Sequence, residues 1–166
     1  MKKLTTKMIT PVLALVVLIV LTTALAEPVG DPVSGSGSSS AINAFQFAGS
    51  ATLVIRGQEK STLEAPDGLL VTLLEEPRES DDGVLHVVAT HTFTFADGSI
   101  TTSDKEIAEP INPFGLHTLN ANMEIVSGTG VYEGITGRLT AHGTIHFGVM
   151  PPAAEFEIRG FISTEE

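Results

Sequence analysis

The chain has 166 residues, no cysteine, no tryptophan and a formal charge of −11, with twenty Asp+Glu against nine Lys+Arg. The acidity argues against a nucleic-acid partner, because phosphate backbones repel such a surface. The missing cysteines exclude disulfides, thiolate nucleophiles and Cys-based zinc sites.

Residues 1–26 read as a secretory signal peptide. Lys2, Lys3 and Lys7 supply the positive start, Val12 to Leu21 is an unbroken apolar run, and Ala24-Leu25-Ala26 matches a small-x-small cleavage pattern. The run is about half the ~20 residues a bilayer span needs, so export without stable membrane insertion is expected. Cleavage would leave six Lys+Arg and all twenty Asp+Glu, a formal charge of −14. Residues 27–40 (EPVGDPVSGSGSSS) are Pro-, Gly- and Ser-rich with almost nothing to bury, and read as a flexible linker. Residues 41–166 then form one domain, held by packing alone.

From Ala41 onward the apolar residues alternate, and turn signals recur at short intervals. A first strand carries Phe45, Phe47, Ala51, Leu53 and Ile55 on one face. Leu69 to Leu74 is a short second strand, followed by a charged loop over 75–83. Val84 to Ala96 is a long third strand, and Asp97-Gly98 signals a hairpin into a fourth, Ile100 to Ile107. The two prolines of 109–115 mark a connection. Leu116 to Val126 is a fifth strand, Val131–Tyr132 a short sixth and Thr136 to Phe147 a seventh. Pro151-Pro152 breaks the chain before an eighth, whose inner face carries Ala154, Phe156, Ile158 and Ile162. Eight strands in meander order, each with one apolar face, predict an all-β closed antiparallel barrel or a sandwich.

An eight-stranded barrel holds side chains or one small ligand. Phe45, Phe47, Phe93, Phe95, Phe147 and Phe156 are the candidate lumen residues and the candidate ligand contacts. A lumen of about 300 Å³ or more would suit a ligand, and one closed by interdigitated side chains would not.

Alternation sorts the five histidines. His91 shares a face with Val87, Ala89, Phe93 and Phe95, and His117 shares one with Leu119, Ala121 and Met123. Both point inward and are the best candidates for acid–base chemistry. Buried structural histidines are the commoner outcome. His86, His142 and His146 fall on polar faces. His142 and His146 are ~13 Å apart on a strand, too far to share one zinc. Neither a metal nor another cofactor is expected. Asp104 shares the Ile100 face and is a third, weaker catalytic candidate. A buried unpaired carboxylate is costly, so the expected solution is a strand that reaches the rim and solvates Asp104-Lys105-Glu106. Tyr132 and the 126–143 glycines read as corner builders.

The segment SGTGVYEGITGRLTAHGTIHF (127–147) resembles the Gly-Thr-Gly-x-aromatic-x-Gly-x-x-Gly signature of the allene oxide cyclase barrel-like superfamily, which includes plant dirigent proteins. Phe95-Ala96-Asp97-Gly98-Ser99 stands where those families carry an aromatic-x-Asp-Gly-Ser hairpin. The resemblance covers roughly 84–148. It implies an eight-stranded calycin-like barrel that binds a small hydrophobic molecule in its lumen, with cofactor-independent cyclase or stereo-guiding activity. It also implies association into oligomers. The competing expectation is a non-catalytic extracellular or envelope module that uses its outer surface for protein contacts.

Overall fold

Outside the bulges, side chains alternate inward and outward along the long strands of the computed structural model, which describes residues 30–57 and 60–164. Among the described residues there are nine strands and no helix. They are β1 (Asp31–Asn43), β2 (Gln46–Arg56), β3 (Lys60–Leu73), β4 (Arg78–Glu79), β5 (Leu85–Phe95), β6 (Gly98–Pro110), β7 (Leu116–Gly130), β8 (Ile135–His146) and β9 (Ala153–Thr164). Neighbours pair antiparallel in the order β3-β2-β1-β9-β8-β7-β6-β5, and β3 pairs with β5 to close the ring. The result is an eight-stranded barrel, with β4 a two-residue appendage on β5.

The predicted linker is corrected by this closure. Residues 31–40 are most of β1, which bridges β2 and β9 along its length. Composition misled because β1 fills the barrel from its partners. Its inward positions are Val33, Gly35, Gly37, Ser39 and Ala41, and Ser36 and Ser38 face out. A Cβ on Gly37 would lie 2.6 Å from the Phe156 ring, so glycine here makes room for a large residue of β9. The predicted signal peptide and residues 27–29 lie outside the described residues.

Two further boundaries differ. Val131–Tyr132 belongs to a turn, so the count of eight strands stands only because β1 replaces it. The second predicted strand starts earlier, at Lys60, because Pro66-Asp67-Gly68 is a bulge and not a turn. There the register jumps from Gly49 opposite Leu69 to Ala51 opposite Ala65, and Asp67 takes φ 54°. The Asp67 N–H donates to Ser50 Oγ at 3.2 Å, which ties the bulge to β2.

The two halves of the quoted signature meet at one end of the barrel. Ser99 N–H donates to Thr129 Oγ1 at 3.0 Å, and Val131 N–H donates to Asp97 O at 3.1 Å. A Cβ on Gly130 would collide with the Asp97 carbonyl, so the close approach of the two turns requires glycine. Phe95 and Tyr132 plug this end, edge to face, with ring centroids 5.4 Å apart. Phe93, Leu53, Leu69, Ile100, Met123, Leu139 and Ile158 fill the middle.

Candidate functional site

The other end of the barrel is not filled. Four loops surround it, at 44–45, 74–84, 111–115 and 147–152. Below them lies a cavity of about 60 Å³. Phe47, Val71, Leu73, Val87, Leu119, Ile145, Phe147 and Phe156 give it apolar walls, and its polar lining is Ser39, His91 and Glu106. A shallow groove of about 430 Å³ at the mouth shares Phe47, Leu73, Pro77 and Phe147 with the cavity. Exposed apolar residues crowd the same mouth, among them Ile42, Phe45, Leu74, Ile111, Phe114, Val149 and Met150.

The chemistry sits on β5 and β6. His91 faces inward between Ala89 and Phe93. The inward row of β6 is Ile100, Thr102, Asp104, Glu106, Ala108, and it stays buried through the carboxylates. The rim expectation is therefore corrected, since Asp104 is 1% exposed and Glu106 is 7% exposed. The β6 strand runs on to Pro110 between β5 and β7, so residues 104–106 lie deep inside it. Small neighbours accommodate the two carboxylates, with Ala89 across from Asp104 and Ala121 across from Glu106.

His91 Nδ1 lies 2.8 Å from Asp104 Oδ2 and 3.7 Å from Glu106 Oε1. The first contact is a hydrogen bond that sets the ring's orientation. Phe93 stacks on that ring and Phe156 meets its edge. Asp104 Oδ1 and Glu106 Oε1 are buried without a hydrogen-bond partner. Burial pulls the His91 pKa down, but the Asp104 hydrogen bond and the Glu106 and Asp104 charges outweigh it, leaving the imidazole above its ordinary range. Burial pushes Glu106 up, against a smaller opposing pull from His91. Chemically, the cluster offers a carboxylate-oriented imidazole beside a carboxyl biased toward its protonated form, at the floor of an apolar cavity.

The predicted residues divide. His91 and Asp104 come together. His117 stays at the rim, half-buried, with its ring edge-on to Phe147 and its Nδ1 donating to Gly115 O at 3.1 Å. Phe47, Phe147 and Phe156 line the cavity. Phe93 is buried deeper, Phe95 plugs the opposite end, and Phe45 lies in the β1–β2 turn, exposed. Glu106 was the missed residue. The signal for it was parity, since 100, 102, 104, 106 and 108 share one face of an unbroken strand. Outside the barrel, His142 Nδ1 lies 2.7 Å from Asn120 Oδ1 on an exposed face.

Comparison of the chain with protein-family models, with curated proteins and with solved structures finds no match.

Proposed function

We propose that the barrel binds a small, largely apolar molecule at its mouth, with one polar group of that molecule held by His91 and Glu106. One observation carries this reading: the cavity lined by His91 and Glu106 runs into an apolar groove lined by Phe47, Leu73 and Phe147. The expectation of an open lumen is corrected, because packed side chains close most of it and the reading moves to the mouth. At about 60 Å³, the cavity is far below the ~300 Å³ of an ordinary ligand pocket, so only the polar head enters and the apolar body lies in the groove. The reading includes export, on the strength of the residues 1–26 pattern. In its catalytic form it is a cofactor-independent cyclisation or stereo-guided coupling, supported by the resemblance of residues 84–148.

The test is native mass spectrometry of the exported protein, followed by thermal unfolding against medium-chain alcohols, ketones and epoxides. A bound species at ~100 times its Kd adds about 2.7 kcal/mol and raises the midpoint on the order of 10 °C. Phe147→Asp, at a half-exposed position, is expected to weaken that binding roughly tenfold or more. A clean apo mass and no shift with any compound would remove the reading.

A second reading, an interaction module, draws on the outer face. There a shallow groove of about 610 Å³ runs over β1, β2, β8 and β9, past Ser36, Ser38, Thr52, His142 and Glu157. A silent ligand panel would favour it.

A further inference from the structure

We propose that His91, Asp104 and Glu106 form a divalent-cation site at the floor of the cavity, with three protein ligands and an open coordination position toward the mouth. Three observations converge on it. Ligand atoms of the three side chains all lie within 4.8 Å of one another. Donors bound to one zinc at ~2.0–2.2 Å stand about 3–3.5 Å apart, so the present separations of 2.8 Å and 3.7 Å from His91 Nδ1 need only small rotations. Asp104 Oδ1 and Glu106 Oε1 are buried acceptors with no donor, and a cation is the partner that satisfies both.

Charge points the same way. Among the described residues, no lysine or arginine lines the cavity. Metal binding would displace the protons held by His91 and Glu106, leaving two carboxylates and a neutral imidazole whose −2 one dication cancels. Room is adequate as well, because about 60 Å³ takes roughly two waters at their ~30 Å³ share of liquid volume. A cation entering from the mouth would meet His91 and Glu106, which line the cavity, before Asp104 beneath them.

The donor set names the class of metal. One imidazole with two carboxylates suits borderline first-row ions such as zinc, manganese and cobalt. Calcium takes six to eight oxygens, and this site supplies one nitrogen and only two carboxylates. Three protein ligands with a free position is the form of a catalytic centre, where a bound water or a ligand oxygen completes the shell. This differs from the metal-free expectation, which weighed the distant His142 and His146 and the acidic 75–82 loop but not this cluster.

The experiment is titration of chelator-treated full-length protein with Zn²⁺ alone, and with Co²⁺ alone while recording its visible spectrum. One zinc per chain is expected, together with cobalt d–d bands of low-coordinate, inner-sphere type. Asp104→Asn and Glu106→Gln should each weaken zinc binding roughly tenfold or more and erase the cobalt bands. Glu106→Gln keeps the side-chain shape, and circular dichroism of each variant establishes that the barrel is intact. His142→Ala removes an exposed histidine of the outer face and should change nothing. Absence of stoichiometric binding would overturn the proposal. So would binding lost in His142→Ala but retained in Glu106→Gln. No organic ligand enters this measurement, so its failure leaves the apolar-ligand reading standing, and the converse holds.

Discussion

His91 and Glu106 are each buried with a pKa displaced upward, and the two displacements act on stability with the same sign. Each group holds its proton more tightly in the barrel than in the unfolded chain, where ordinary values are about 6.5 and 4.3. The folded state therefore binds more protons, and stability falls as pH rises through each raised pKa. Glu106's contribution is complete below about pH 4.3 and is lost above it; that of His91 is complete below about pH 6.5 and is lost higher. Other charges facing them come from Asp104 on β6, two residues from Glu106. For chelator-treated protein, the unfolding midpoint is expected to decline from about pH 5 toward pH 8. In Glu106→Gln the decline is expected to flatten, most visibly in its acid half. Surface carboxylates cancel in the difference between the two profiles. Parallel profiles, read by thermal circular dichroism, would mean that Glu106 is not held as a buried acid.

At the scale of single strands, β1 and β6 each carry residues that their neighbours make tolerable. On β1 the inward glycine at 37 faces Phe156 of β9, which supplies the volume that β1 lacks. Gly37→Ala puts a methyl against a rigid ring, with Ser50 O 3.2 Å away on the other side. Overpacking of this kind costs about 1–3 kcal/mol. The double variant Gly37→Ala/Phe156→Leu should recover part of that loss, and additive costs in denaturant melts would sink the pairing. On β6, Thr102, Asp104 and Glu106 occupy inward positions between Ile100 and Ala108. A polar strand interior signals a site when its neighbours shield it, as Phe93 and Phe156 shield His91 here.

For the molecule as a whole, closure rests on β1 lying between β2 and β9. Composition assigns residues 27–40 to a linker, and pairing assigns residues 31–40 to the barrel. A chain starting at Ala41 would lose most of β1 and leave two facing edges with unpaired backbone groups. It is expected to be unfolded or aggregated, whereas a chain starting at Pro28 should fold with a sharp thermal transition. Equal melting of the two chains would return β1 to the role of a spacer.

Period-2 alternation is a local property, and it was legible from Phe47 through Ile162. It revealed the all-β class, the order of most strands and the inward direction of His91 and Asp104. The hairpin at Asp97-Gly98 was legible too, because turn chemistry is carried by two residues. Depth and partnership are not local. Whether Glu106 sits at a rim or in a core depends on how far β5 and β7 extend beside it. Whether glycine and serine make a linker or a strand depends on a phenylalanine 119 positions away, at 156 against 37. Most of the lumen is closed because large residues of β2, β3, β5, β6, β7, β8 and β9 interdigitate there. The β5–β6 hairpin sets one imidazole beside two carboxylates, and the closed ring is what buries them together.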